Sequence, residues 1–126
     1  MNDDQIVDRK HYLNAVLMLY LELPETPLRA GPHDRERAGE LLRRQVPFSV
    51  VESALLLGSL RRLGRPEDSP PLSPIRSFAY FIPVIEELLV TPLPDGYLQY
   101  LRDKVRRLCA KRVTQPGLRS KNYSSS

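Results

Sequence analysis

Apolar residues recur at three- and four-residue intervals along most of the chain, the spacing that lines one face of an α-helix. The first such stretch covers residues 4–23, with Ile6, Leu13, Val16, Leu17 and Tyr20 on one face. Asp3, Asp4 and Asp8 fall in its opening turns, where the helix dipole favours negative charge, and Pro24 ends it. Residues 24–32 hold three prolines and Gly31 and read as a loop. A second helix is predicted over 34–45, with Asp34 as N-cap, a narrow stripe of Ala38, Leu41 and Leu42, and Pro47 as its stop.

The third stretch has the clearest start. Ser49-Val50-Val51-Glu52 has the form of a capping box, in which a hydroxyl and a carboxylate each satisfy a free amide of the first turn. The helix continues through Ala54, Leu55, Leu56, Leu57 and Leu60 to about Leu63 and is apolar around most of its circumference, so it is expected to be central. Gly58 in its middle costs about 1 kcal/mol against alanine, and a close helix crossing is the expected compensation. Residues 64–74 form a linker rich in Gly, Pro, Asp and Ser. A fourth helix is predicted from Ser73-Pro74 through Ile75, Phe78, Ala79, Ile82, Ile85, Leu88 and Leu89. Pro83 lies inside it, so a kink, or two short helices meeting near Ile82, is expected. The fifth covers 95–113, with Tyr97, Leu98, Leu101, Val105 and Leu108 as the buried stripe.

Strand signals are poor: no alternating β-branched runs flank an Asn-Gly or Asp-Gly. The expected fold is therefore a single all-α bundle of about five helices over residues 1–113, with the fourth kinked. Residues 114–126, ending Ser-Ser-Ser, lack periodicity and are expected to be a disordered basic tail. The 126 residues suit one domain. No apolar run is long enough for a membrane span. The Met-Asn-Asp-Asp start has no basic region leading into an apolar one, so a cytoplasmic protein is expected.

Charge changes this picture most. The net charge is +4, but it is unevenly spread. Residues 1–96 carry 11 Lys/Arg against 14 Asp/Glu, whereas residues 97–126 carry eight against a single acid, Asp103. A slightly anionic body with a basic end points to a polyanionic partner. Three arginine groups stand out: Arg43-Arg44, Arg61-Arg62 with Arg65, and the run Arg102, Lys104, Arg106, Arg107, Lys111 and Arg112. Arginine suits phosphate because its planar fork donates two parallel bonds. The first two groups also end consecutive helices, where positive charge offsets the dipole. That effect does not account for the density on the fifth helix.

Catalytic chemistry has little to stand on. His11 and His33 have no second ligand at metal spacing. Cys109 has no activating base beside it in the sequence. The Asp3, Asp4 and Asp8 cluster is explained by the helix dipole, and the six glycines form no phosphate loop. The expectation is a non-enzyme with no cofactor and no metal. A helix-turn-helix reading of residues 34–63 has suitable lengths. Against it, only Ser49, Glu52 and Ser53 would offer a polar face to a groove. Phe78, Tyr80 and Phe81 suggest core packing, although Tyr80 and Phe81 are adjacent and cannot share a face. An exposed aromatic beside cations would stack on unpaired bases.

Residues 35–89 resemble the helical DnaD-like domain of bacterial and phage replication-initiation proteins. Val51-Glu52-Ser53-Ala54 is similar to that family's Val/Ile-x-x-Ala core. Tyr80, Val84 and Leu88 take the places of its Tyr-x-x-x-Ile-x-x-x-Trp motif, with Leu88 in place of the tryptophan and Pro83 within the helix. The resemblance implies DNA binding and recruitment of replication machinery. The leading expectation is thus a non-catalytic DNA-binding accessory protein of replication-initiation or mobile-element type. Its contacts would be Arg102, Lys104, Arg106, Arg107, Lys111 and Arg112, helped by Arg43, Arg44, Arg61 and Arg62. The alternative is a helical protein-interaction adaptor, or a small inhibitor of a nucleic-acid enzyme, with the arginines as a solvated surface.

Overall fold

In the computed structural model, residues 3–113 are described, with side chains for residues 8–110. They form five α-helices, α1 (Asp3–Glu22), α2 (Pro32–Arg43), α3 (Phe48–Leu63), α4 (Ile82–Val90) and α5 (Tyr97–Val113), with a 3-10 turn, Phe78–Phe81, leading into α4. There is no strand among the described residues. The expected all-α bundle is what the chain forms. The predicted tail, 114–126, lies outside the described residues, as does the side chain of Ile6.

α3 is the centre. It packs against α1, α4, α5 and the 3-10 turn, while α2 packs mainly on α1. Val51, Ala54 and Leu55 are fully buried, and Leu56 nearly so. Around them close Val16, Leu17 and Tyr20 of α1, Leu41 of α2, Phe78 and Phe81 of the turn, Ile85 of α4, and Leu101 and Val105 of α5. α5 contributes Leu101 and Val105 to the core, with Tyr97, Leu98 and Cys109 packed partly buried beside them, and α3 is its main neighbour.

At Gly58 the α3 backbone lies close against the 3-10 turn and α4. A Cβ there would stand 2.8 Å from both Cδ1 and Cε1 of the Phe81 ring and 3.7 Å from Val84. No ordinary side chain fits without displacing the ring, and this contact is the close crossing that the mid-helix glycine predicts.

Several local expectations need correction. α2 starts at Pro32 with Gly31 as N-cap, so Asp34 is the third helical residue. Its buried carboxylate accepts the Gly31 N–H through Oδ2 (2.9 Å) and the Phe78 N–H through Oδ1 (2.9 Å). α3 starts at Phe48 after Pro47 with no side-chain cap. Ser49 and Glu52 do not form a capping box, because Glu52 is engaged by α5, as described below. Ser73-Pro74 does not open a helix either. The Ser73 carbonyl accepts from Arg62 (2.8 Å), and Ile75 N–H donates to the Glu25 carbonyl (2.9 Å). These bonds hold the segment extended until Phe78. Pro83 then falls in the first turn of α4, where its missing N–H costs nothing. The two-short-helix form of the fourth segment is the one adopted.

Asp34 ties the first turn of α2 to the 3-10 turn. Asp34→Asn keeps one acceptor oxygen but turns an amide N–H toward a backbone N–H. It should cost about 2 kcal/mol, the range for buried bonds to a charged group, read as a lower urea midpoint with an unchanged slope. An unchanged midpoint would mean the carboxylate bonds contribute nothing net.

Candidate nucleic-acid interface

The ten cations named from sequence meet different fates. Arg43, in the last turn of α2, is exposed and has no hydrogen bond or ion pair among the described residues. Its neighbour Arg44 turns the other way. It clamps Glu86 of α4 with both guanidinium nitrogens, Nη1 to Oε2 at 3.1 Å and Nη2 to Oε1 at 2.8 Å. Arg61 does the same to Glu87, at 3.0 and 2.6 Å. Each hydrogen-bonded guanidinium holds its glutamate below the usual carboxylate range. Both pairs are about half exposed, so water screens them and they orient α4 more than they stabilise it.

Arg62 is inside the protein, its side chain only 6% exposed. Nη2 donates to Glu25 Oε1 (3.0 Å) and to the Ser73 carbonyl (2.8 Å), and Nη1 reaches the Tyr80 hydroxyl (3.4 Å). The guanidinium carbon also lies 5.3 Å from the centre of the Tyr80 ring. Phosphate cannot reach a group held in this way.

On α5, Arg102 forks onto Glu52 of α3, Nε to Oε2 at 2.9 Å and Nη2 to Oε1 at 3.0 Å, with Glu52 nearly buried. Glu52 is therefore taken up by α5 rather than offered to a groove, while Ser49 stays exposed. With α1 and α4 on its other faces, α3 is not placed as a recognition helix.

Three α5 cations remain on the surface. Arg106 approaches Asp103 at 3.5 Å and is three-quarters exposed. Arg107 donates only its Nε, to the Asp103 carbonyl at 3.4 Å. Lys104 is half-buried and makes no hydrogen bond or ion pair among the described residues. Lys104 and Arg107, three apart, share one flank of the helix, and Arg102 and Arg106 share the other. Lys111 and Arg112 belong to the last turn of α5, and their side chains lie outside the described residues.

The arginine groups thus do not converge. Arg44 and Arg61 face α4, Arg62 faces inward, and Arg102 faces α3. Sequence reasoning missed the carboxylates that take them up. The adjacent Glu86-Glu87, the only charges in an otherwise apolar α4, are the available signal. Glu52 was spoken for by the capping pattern and gave none. No set of three or more His, Cys, Asp or Glu able to hold a metal ion occurs among the described residues, and none of the described helices is long and apolar enough to cross a membrane. Of the residues carrying the DnaD-like resemblance, Val51, Ala54 and Leu88 are buried, Val84 is partly so, and Tyr80 is 41% exposed. No family model matches this chain, and neither a curated protein nor a solved structure does.

Proposed function

We propose that the protein is a non-catalytic DNA-binding accessory module, of the replication-initiation or mobile-element kind, that holds DNA through phosphate contacts on α5. The observation that carries this reading is a local surplus of cation on α5, where Asp103 approaches Arg106 at 3.5 Å and Lys104 and Arg107 have no ion pair among the described residues. Residues 104–126 contain seven Lys/Arg and no Asp or Glu. Glu25, Glu52, Glu86 and Glu87 of the body are already bonded to Arg62, Arg102, Arg44 and Arg61. Lys104, Arg106 and Arg107 are the contacts on the part of α5 whose side chains are described. Lys111 and Arg112 continue the run. Arg43 is an outlying contact. Arg44 and Arg61 are engaged by α4, Arg62 by Glu25 and Ser73, and Arg102 by α3. Contacts of this kind supply affinity rather than sequence choice. The replication setting rests on the DnaD-like resemblance of residues 35–89.

Charge reversal separates these roles. Lys104→Glu with Arg107→Glu should weaken binding to a labelled duplex more than tenfold and flatten its salt dependence by about two phosphate contacts, with helicity unchanged. Arg44→Gln with Arg61→Gln should leave affinity within about twofold, since those guanidinium groups have no free fork to offer. Failure of the wild-type chain to bind at low salt, or equal binding by the charge-reversed variant, would remove the proposal.

A second reading, a protein-interaction adaptor, is favoured by one observation. Leu89 and Val90, at the end of α4, are 37% and 82% exposed. In that case Val90→Lys would break self-association or partner binding, and reversal of the α5 charges would not.

A further inference from the structure

Along α5, residues spaced i, i+3, i+7 and i+10 fall on one flank, because these steps approximate whole helical turns. Here they are Tyr97, Tyr100, Lys104 and Arg107. Two aromatics are therefore followed, within three turns, by two cations that carry no ion pair among the described residues. The rise of about 1.5 Å per residue puts the Tyr100 and Arg107 backbones about 10 Å apart along the axis.

The two rings differ in use. Tyr97 is partly buried against the core, and Tyr100 is 46% exposed. Their centroids lie 5.1 Å apart with planes inclined at 47°, so Tyr97 backs Tyr100 and limits its motion. Tyr80, the aromatic to which the sequence draws attention, is a poor platform. Arg62 lies over its ring and Phe81 packs against it with centroids 5.1 Å apart. The accessible ring beside free cations is on α5.

We infer, building on the DNA-binding reading above, that this flank of α5 takes an unpaired DNA strand, with one base stacked on Tyr100 and the following phosphates held by Lys104 and Arg107. The choice of a single strand follows from the chemistry. Phosphate contacts alone serve duplex and strand equally, but a tyrosine face has a partner only where a base shows its own face. In a duplex those faces are covered by neighbouring base pairs. Every base has such a face, so the stripe tolerates any sequence.

The experiment compares the full chain and two variants on a labelled strand of about 20 nucleotides and on its duplex, in low-salt buffer. Tyr100→Ala should lower strand affinity about tenfold, within the range for losing one base stack, and leave duplex affinity within twofold. Tyr100→Phe keeps the ring and should bind the strand as the wild type does. The chain has no tryptophan, so tyrosine emission is directly visible. Adding the unlabelled strand should quench it in the wild type, and quench it less in Tyr100→Ala. Circular dichroism of Tyr100→Ala should match the wild type, since the position is exposed. The inference is overturned if Tyr100→Ala binds the strand as tightly as the wild type, or if strand and duplex lose affinity equally. In both cases α5 could still bind DNA by charge. If the wild type binds neither probe, the DNA-binding reading fails and this inference with it.

Discussion

Phe81→Ala should destabilise the protein by about 4 kcal/mol, in the upper half of the range for truncating a buried phenylalanine. The ring is fully buried. It packs edge-to-face on Tyr20, with centroids 6.0 Å apart and planes at 81°. Its other flank rests on the bare backbone of Gly58. A cavity left there is bounded on one side by a residue with no side chain to swing into it, so collapse is limited and the cost is high. Chemical denaturation gives the measurement, and a loss below about 1.5 kcal/mol would contradict the packing argument. Gly58→Ala supplies the complementary test. Alone, it gains about 1 kcal/mol of helix propensity and loses more by overpacking against the pinned ring. Combined with Phe81→Ala, the new methyl enters vacated space, and the same substitution should become stabilising. A cycle showing additive effects would mean the two positions do not share that space.

Arg62→Ala should cost about 3 kcal/mol, at the low end for breaking a buried ion pair because Glu25 is 24% exposed and keeps some water. One guanidinium ties together three pieces of chain. Glu25 belongs to the α1–α2 loop and sits at φ +66°. Ser73 belongs to the extended segment after α3, and Tyr80 to the 3-10 turn. Removing the side chain takes away a charged donor that the Ser73 carbonyl and the Glu25 carboxylate both use. Besides the shift in unfolding midpoint, limited proteolysis should cut residues 64–77 faster in the variant. Arg62→Lys keeps the charge but not the fork, so it should recover only part of the loss. Stability within 1 kcal/mol of wild type in Arg62→Ala would refute the role given to this residue.

The helices were legible because their apolar spacing is unambiguous, and α1, α3 and α5 begin and end within about two residues of the positions read from the pattern. Gly58 was legible too, since a glycine inside a good helix asks for a close neighbour. What failed were readings that assigned a polar side chain to its own helix. Glu52 fits a capping box in sequence, but its carboxylate is used by Arg102, 50 residues away. Ser73-Pro74 has the form of a helix start, but the carbonyl of Ser73 serves Arg62. Local motifs state what a side chain can do nearby. Competing partners brought up by tertiary packing are invisible to them.

The same limit governed the candidate site. Charge content identified α5 as the basic element, and Lys104, Arg106 and Arg107 stay on the surface. It did not separate them from Arg44, Arg61 and Arg102, because a sequence lists cations without the carboxylates that meet them. Tyr100 was legible in principle. Its spacing to Lys104 and Arg107 is helical and it lies outside the stripe of Tyr97, Leu98, Leu101, Val105 and Leu108, but the sequence drew attention to Phe78, Tyr80 and Phe81 as the aromatics and not to this ring.

The carboxylate bond of Asp34 to Phe78, together with the Arg44–Glu86 and Arg61–Glu87 pairs, has a consequence for synthesis. All three run from the first half of the chain to residues 78–87. A nascent polypeptide that has emerged only as far as α3 has no lid over Tyr20 and Leu55, and none of these fastenings has its second half. Closure waits until α4 has left the ribosome, so the interval between the emergence of residue 63 and that of residue 90 is when the growing chain is most open to chaperones and to self-association.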